Sequence, residues 1–187
     1  MQQTIRSIRT NSKINLNSHI DIQTAKPFHI PEMFALNKSW FKDNLNHHHN
    51  GFLSVCYHPP LLEEIIKQHD ALVFLVNNCV HGYILVNTVI DFPHSMIVRQ
   101  KHEELSTPKN NDRIAYSYQI VLSGPLQGSG FFYIAQHACR SHFKKKYDYL
   151  VSTVNKLNQR SMQAHKKSGW RILETPENYN IIELNLS

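Results

Sequence analysis

The spacing of apolar and polar residues divides this chain into short strands and amphipathic helices. An apolar run at Ile120–Leu122 stops at a Ser-Gly-Pro sequence, which predicts a buried strand that ends in a turn. Apolar residues at helical spacing then predict a helix that begins near Gly130. Its apolar positions are Phe132, Ala135, Cys139 and Phe143. The predicted order here is strand, turn, helix.

A second strand and helix follow at once. The β-branched and apolar run Tyr149–Val154 predicts a strand, and Asn155–Asn158 predicts a turn that can cap a helix. The next helix should end at Gly169, since glycine is a natural residue after a helix C-terminus. A strand, helix and strand within about forty residues form a crossover unit, so the two strands should be parallel.

Weaker patterns fill the rest of the chain. They predict a half-buried strand at His19–Gln23, a helix opened by Pro31, an extended piece at Gly51–Tyr57, a helix at Leu61–His69, a hairpin of Ala71–Val76 with Val80–Val89, and a final hairpin of Trp170–Leu173 with Asn180–Leu186. The polar connection between Asp91 and Asp112 contains a possible short helix around Met96–Leu105. It is either a substrate-covering segment or a surface loop.

Glycines mark the turn before the first of these helices. Gly128 and Gly130 flank Ser129 and leave the backbone N–H groups at the helix start unshielded by side chains. Those N–H groups carry the positive end of the helix dipole. The turn therefore predicts a seat for an anion such as a phosphate or diphosphate.

Composition narrows the classes of partner only slightly. The 187 residues fit one domain, and the net charge of +6 favours anionic ligands, of which nucleic acid and a polyphosphate cofactor are both examples. Cys56, Cys79 and Cys139 are far apart and lie among apolar residues, so we expect buried free thiols in a reducing cytoplasm. We expect no membrane span, and His47–His49 are better explained as a solvated loop than as a metal site.

Two motifs in order give the chain a family resemblance. Gln127-x-x-Gly130-x-Phe132 lies between strand and helix, and Asn158-x-x-Ser161 runs through His165 to Gly169-Trp170 after the next strand. This arrangement resembles the acetyl-CoA-binding core of the GNAT superfamily of N-acyltransferases. The resemblance implies a single α+β domain over residues 18–187, preceded by an arm at 1–17. Its mixed, mostly antiparallel central sheet should contain a splayed parallel strand pair and be flanked by helices.

The resemblance also implies a reaction and a binding site. The expected function is transfer of the acetyl group of acetyl-CoA to a primary amine by direct aminolysis, with a small-molecule amine or a protein amino group as acceptor. Neither nucleic acid nor a membrane is an expected partner, and the chain should be a monomer or homodimer. The acceptor pocket should be lined by the first helical region, the 91–112 connection and the final hairpin. The implied cofactor-binding residues are Leu122 through its backbone N–H, Gln127, Gly128, Ser129, Gly130, Phe132, Asn158 and Ser161.

Some positions depart from the family pattern. Phe132 replaces a small residue of the phosphate loop. His165 replaces a tyrosine and is a candidate acid for the departing thiol, with packing as the alternative. Asn158 either orients the pantetheine arm or caps its helix. Tyr116 stands where several family members carry a glutamate base, although a phenol of pKa about 10 is a poor base. Glu103, Glu104, Asp112 and a water chain are the other candidates for the base.

Two further classes of function stay open. A non-catalytic acyl-CoA-binding module is motivated by Phe132 and by the absence of a carboxylate at Tyr116. A basic nucleic-acid-binding domain is motivated only by net charge and scattered aromatic residues. It would leave the glycine turn unexplained.

Overall fold

The computed structural model describes residues 3–4, 20–41, 52–53, 55–86, 93–106 and 112–187. The strands are β1 (Gln3–Thr4), β2 (Ile20–Thr24), β3 (Ala71–Val76), β4 (Cys79–Val86), β5 (Ile114–Tyr116), β6 (Tyr118–Leu122), β7 (Tyr149–Asn155), β8 (Arg171–Leu173) and β9 (Tyr179–Asn185). The α-helices are α1 (Ile30–Trp40), α2 (Pro59–Lys67), α3 (Pro93–Leu105), α4 (Phe131–Phe143) and α5 (Gln159–Lys167). Short 3₁₀ turns at Pro27–His29 and Gly124–Leu126 precede α1 and α4.

The described strands form two sheets. One has the order β1-β2-β3-β4-β6 and is antiparallel, and the other has the order β5-β7-β9-β8. In the second sheet β5 pairs parallel with β7, while β9 pairs antiparallel with β7 and β8. The predicted α+β architecture, mostly antiparallel with one parallel pair, is confirmed.

The two sheets are joined where the strand after residue 112 breaks. Ser117 lies between β5 and β6 with a φ of 106°, which L-residues rarely adopt. Tyr116, before the break, packs in the cluster around Val98 of α3, whereas Tyr118 packs in the core beneath α4. In a regular strand these two side chains would point to the same face. The break therefore shifts the alternation by one residue and sends β6 into a different sheet from β5.

Helices cover both faces of this framework. Apolar residues of α4 pack on the sheet, and Phe131 meets Phe74 of β3 edge to face at 5.2 Å between ring centroids. The other face is covered by α1 and α2 through Met33, Leu62 and Ile65, each almost fully buried. Burial of one such side chain contributes roughly 2 to 3 kcal/mol relative to exposure.

The structure changes several expectations about local elements. The 91–112 connection contains α3, which is longer than the helix predicted there and is anchored through buried Val98 and His102. No strand forms in the described part of the predicted 51–57 piece, where Leu53 makes one isolated bridge to Phe41. The three cysteines are free as expected, yet Cys79 is exposed because it opens β4 beside the hairpin turn.

Some expectations fall outside the described residues. The 1–17 arm is described only at Gln3–Thr4, which pairs with Asp21–Ile22 of β2. His47–His49 lie wholly outside the described residues. The division of the chain at residue 17 and the solvated loop at His47–His49 therefore stay predictions. Within the described helices, none is both long and apolar enough to span a bilayer.

Candidate functional site

A cleft opens between β6 and β7 immediately beyond the break at Ser117. The last contacts that join the two strands are the Ser117 N–H to the Val151 carbonyl at 2.8 Å and the Ser152 hydroxyl to the Tyr118 carbonyl at 2.8 Å. Past this point β6 pairs only with β4 among the described strands, and β7 pairs with β9. A cavity of about 340 Å³ occupies the gap and reaches both faces of the sheet.

One edge of β6 is free to bind in this cleft. The Ser123 N–H donates to the His81 carbonyl at 2.8 Å, which fixes the phase of the antiparallel pairing with β4. Hydrogen-bonding groups alternate along such a strand, so the N–H groups of Ile120 and Leu122 point away from β4 and into the gap. Five residues of strand extend about 17 Å, which gives the cleft room for an extended chain.

The glycine turn lies at the open end of the cleft. Gly128 and Gly130 have φ values of 70° and 81°, in the region where a side chain is strained, and no atom lies within 4 Å of a Cβ placed on either. Ser129 holds the turn, since its hydroxyl donates to the Leu126 carbonyl at 2.9 Å and accepts from the Phe131 N–H at 3.3 Å. Gln127 and both glycines line the cavity. The arrangement is a helix N-terminus that faces the cleft with its backbone exposed.

Phe132 forms part of the cleft wall. Its half-buried ring meets the His165 ring edge to face, with centroids 5.1 Å apart. The ring is one of the groups that line the cavity, together with the glycine turn on one side and Ser117 on the other.

Asn158 and Ser161 lie on the opposite wall, at the start of α5. The Asn158 side chain accepts from the Ser161 N–H at 3.2 Å, so it caps the helix, and it also donates to the Phe52 carbonyl at 3.0 Å. The capping alternative is thus present, and the same side chain fixes the segment at Phe52 against the cleft. Contact of Asn158 and Ser161 with a pantetheine arm stays a prediction.

His165 is buried in the wall and is held as a neutral imidazole. Its Nδ1 lies 2.8 Å from the Ser161 carbonyl oxygen, so Nδ1 carries the proton and donates it there. Burial lowers the pKa of His165 to about 4. Nε2 is then an acceptor, and it has no hydrogen-bond partner within the described part of the chain. This geometry favours packing over the predicted proton donation, because at neutral pH the ring has no proton to release from Nε2.

Tyr116 does not reach the cleft. The reversal of alternation at Ser117 turns its half-buried ring toward α3, where its hydroxyl lies 3.5 Å from Nδ1 of His102. Burial raises its pKa further above the ordinary phenol value, which makes it a still poorer base. The prediction that Tyr116 is the base in the site is therefore wrong, because Tyr116 does not line the cleft.

The substitute bases also lie elsewhere. Glu103 pairs with Arg99 at 2.8 Å and Glu104 with Lys101 at 2.9 Å, both on α3. With Asp112, they border a separate hollow. Among the described residues that line the cleft, none is Asp or Glu.

The base prediction missed a polar cluster at the closed end of the cleft. The hydroxyls of Tyr57 and Ser117 lie 2.7 Å apart, and both residues are almost fully buried. Beside them the Gln119 side chain accepts from Asn37 Nδ2 at 2.7 Å and from the Tyr83 hydroxyl at 2.8 Å. No local pattern marks these residues, because their partners lie many residues apart in sequence.

The predicted acceptor lining is only partly present. Trp40 of α1 lines the cavity as expected for the first helical region. The described residues of α3 contribute nothing to it, and the final hairpin contributes Ile182. Phe52, Leu53, Val55 and Tyr57 line this side of the cavity instead.

Charged residues near the cleft are few. Arg160, an exposed residue at the start of α5, borders the cavity. Arg140 lies about 15 Å along α4 from Gly130 and donates to the carbonyls of Asn185 and Ser168. Lys146 is similarly engaged, with Asp70 at 2.8 Å. The described residues contain no group of three or more His, Cys, Asp or Glu side chains arranged to hold a metal ion.

Comparison with known proteins identifies the fold. No family model and no curated protein sequence matches the chain. Solved structures do match. The chain shares 13% identity and a TM-score of 0.60 with a GNAT-family acetyltransferase of Streptococcus pneumoniae, over 90% of this chain and 100% of that one. With a GNAT-family acetyltransferase of Listeria monocytogenes it shares 9% identity and a TM-score of 0.66, over 95% and 98%.

A third structure contains a cofactor. It is yncA of Salmonella typhimurium with its cofactor acetyl-CoA, which shares 12% identity and a TM-score of 0.61 over 91% of this chain and 95% of that chain. Near-complete coverage in all three comparisons shows that the similarity extends over the whole domain. The chain has the fold of the GNAT superfamily, as the sequence motifs predicted.

Proposed function

We propose that this protein is an N-acetyltransferase that uses acetyl-CoA to acetylate a primary amine by direct aminolysis. The observation that carries the proposal is the cleft between β6 and β7. It leads from a glycine turn at a helix N-terminus, along a free strand edge, to a buried polar cluster on the other face of the sheet.

The cofactor is assigned to the open end and the strand edge. The N–H groups of Gly128, Ser129 and Gly130 bind the diphosphate, aided by the positive end of the α4 dipole. The pantetheine arm runs along β6 and accepts hydrogen bonds from the N–H groups of Ile120 and Leu122. The arm thereby lies where a neighbouring strand would otherwise pair with β6.

Charge and side chains on the other walls complete the cofactor site. Arg160 at the mouth supplies a positive charge for the phosphates. Asn158 and Ser161 border the pantetheine arm from α5, and Gln127 and Phe132 border it from the glycine turn. The structure of yncA, which shares this fold, contains its cofactor acetyl-CoA, and this supports acetyl-CoA as the ligand proposed here.

The reaction balances without a covalent enzyme intermediate. The neutral amine nitrogen attacks the thioester carbonyl carbon, the carbon–sulfur bond breaks, and the proton lost from nitrogen ends on the sulfur of CoA. The cavity extends through the sheet, so cofactor and acceptor can approach from opposite faces and meet at its closed end. Holding the amine and the thioester together in this way lowers the activation free energy, because the entropy cost of bringing them together is met on binding.

Two measurements on the same sample test the proposal. Isothermal titration should show one acetyl-CoA bound per chain, and a thiol-release assay with a panel of amines should show CoA produced only when amine is present. No binding of acetyl-CoA at millimolar concentration would overturn the proposal.

A second candidate is a non-catalytic acyl-CoA-binding module. The observation that favours it is the lack of any carboxylate among the described lining residues, which removes the usual protein base. Stoichiometric acetyl-CoA binding with no thiol release from any amine in the panel would establish this alternative over the transferase.

A further inference from the structure

We infer that the acceptor is a primary amine carried on an uncharged aromatic or apolar body, and that the hydroxyl pair of Tyr57 and Ser117 holds its nitrogen. This inference rests on the proposed transferase function and specifies its substrate class. It comes from three features of the cavity on the face of α1: its apolar lining, its charge and the position of the hydroxyl pair.

The acceptor side of the cavity is lined mainly by apolar and aromatic surface. Trp40 at the end of α1 lines the cavity together with Phe52, Leu53 and Val55. Phe52 is held in place through its carbonyl by Asn158 at 3.0 Å. A planar or branched apolar group would bury its surface here, at about 25 cal/mol per Å² removed from water.

Charge disfavours a second class of amine. No Asp or Glu is present among the described lining residues, so a diamine or a lysine-rich peptide that buried a second cation against them would find no carboxylate partner there. The same environment helps a monoamine to react. Desolvation away from any carboxylate favours the neutral form of an amine, and only the neutral form can attack the thioester. A protein base is then unnecessary, because the proton leaves to water as the amine enters.

The hydroxyl pair is fixed at the point where the two strands join. Ser117 is tied to β7 through its N–H and to Tyr57 through its hydroxyl at 2.7 Å. The Tyr57 N–H donates in turn to the side chain of Asn37 at 3.1 Å. Tyr57 and Ser117 both line the cavity, and each residue is about 2% exposed. Their positions are therefore set before any substrate arrives.

This pair can accept a hydrogen bond from the incoming amine. Each hydroxyl oxygen has two lone pairs, so an N–H of the amine can donate to the pair while the two hydroxyls stay bonded to each other. The nitrogen lone pair is then left free for the thioester carbon. Because Ser117 marks the closed end of the cleft, the amine is held where the pantetheine arm ends.

Substrate class is tested with wild-type protein and a matched amine panel. Thiol release from acetyl-CoA is measured with 2-phenylethylamine and tryptamine, with putrescine and spermidine, and with a lysine-rich peptide. We expect kcat/KM for the aromatic amines to exceed that for the others by on the order of 100-fold, as the burial of an unpaired charge implies. Equal or greater turnover of the polyamines or peptide would overturn the inference and leave the transferase function intact.

The role of the pair is tested with Ser117→Gly and Tyr57→Phe. Glycine adopts a φ of 106° without strain, so Ser117→Gly removes the hydroxyl while the fold is retained. We expect each variant to raise KM for 2-phenylethylamine about tenfold, with acetyl-CoA affinity unchanged. Tyr179→Phe, which removes a hydroxyl outside the cleft, is the matched control and should change neither constant.

The possible outcomes distinguish failure of this inference from failure of the proposed transferase function. Unchanged KM for the amine in both variants, or an equal weakening of amine and acetyl-CoA binding, would overturn the role of the hydroxyl pair. Failure of the wild-type protein to bind acetyl-CoA would overturn the transferase itself. Thermal unfolding of each variant accompanies the kinetics, so that a folding defect is recognised as such.

Discussion

The two ends of the cleft are built from different parts of the chain. At the open end, Gly128 and Gly130 have positive φ values and open space where a side chain would lie, so the surface there is mainly backbone. At the closed end, the surface consists of side chains, with the Tyr57 and Ser117 hydroxyls beside the amide of Gln119. Under the proposed function, backbone groups bind what is common to all CoA thioesters, and side chains bind what differs between acceptors.

This difference also predicts how each end responds to mutation. At the closed end, Asn37, Tyr83 and Gln119 form a buried hydrogen-bonded network, so a change within that network should disturb folding as well as binding. The open end is an exposed turn, so a change there should disturb binding alone. Substitutions at the two ends therefore test whether folding and binding are affected differently at each.

The largest effect should come from the closed end. Gln119→Leu leaves the Asn37 amide and the Tyr83 hydroxyl without their shared acceptor, and it removes the donor to the Val55 carbonyl. We expect a loss of about 4 kcal/mol in the free energy of unfolding, measured with urea. Tyr83→Phe deletes one donor to Gln119 and one acceptor for Asn37 Nδ2, but it leaves Asn37 and Gln119 bonded to each other, so it should lose less than half as much. Equal losses in the two variants would show that the hydrogen-bond network around Gln119 is not the source of the lost unfolding free energy.

His165, in the cleft wall between the two ends, should make the free energy of unfolding depend on pH. The folded pKa of His165 is about 4 against an ordinary value of 6.5, so between these values the unfolded chain binds a proton that the folded chain does not. Stability should therefore fall as pH drops from 7 to 4, by ~3 kcal/mol from this residue, and stay level above pH 7.

Replacement of this histidine isolates its contribution. His165→Phe should remove that part of the pH dependence of the unfolding free energy, while replacement of the exposed His137 by Gln should retain it. If His165→Phe leaves the slope between pH 4 and 7 unchanged, the imidazole is not buried as a neutral group. A thiol-release rate with an inflection near pH 6.5 that disappears in His165→Phe would instead restore its role as an acid.

The open end should respond to charge rather than to shape. Gly128→Asp places a carboxylate where the phosphate binds, and repulsion between like charges should weaken acetyl-CoA binding by about 100-fold, or ~2.7 kcal/mol. Gly128→Asn has the same shape and similar tolerance of positive φ, so it separates charge from strain. Titration of acetyl-CoA into both variants gives the comparison. A loss of similar size in both would mean that geometry, not charge, forms the seat.

The smallest effect is expected outside the cleft. Tyr116→Phe removes a hydroxyl whose 3.5 Å contact with His102 is at the limit of a hydrogen bond. We expect less than 1 kcal/mol change in stability and less than a twofold change in kcat/KM for acetyl-CoA and amine. A loss of activity of tenfold or more would return Tyr116 to the mechanism and overturn its placement under α3.

The open end could be predicted from sequence because its signals are local. A strand that stops at Ser-Gly-Pro, two glycines and an apolar helical stripe all lie within about twenty residues, and each has a direct conformational cause. The structure contains the predicted turn and helix in that order. The motif around Asn158 is equally local, and its capping contact with Ser161 is present.

The closed end could not be predicted, because its causes are not local. Tyr57 and Ser117 meet only after the sheet has formed, and the positive φ of Ser117 is imposed on a residue that carries no glycine signal. That single break shifts the face of every later residue in the strand. It turns Tyr116, which the family resemblance placed in the site, away from the cleft and leaves its neighbour Ser117 there.

Hydrogen exchange at β6 shows whether the pantetheine arm binds along the free edge of this strand. The N–H groups of Ile120 and Leu122 face the gap, while those of Gln119 and Val121 pair with β4. If the pantetheine arm binds along this edge, saturating acetyl-CoA should slow exchange at Ile120 and Leu122 by tenfold or more and leave Gln119 and Val121 nearly unchanged. Unchanged exchange at Ile120 and Leu122 in the acetyl-CoA-bound protein would contradict the account.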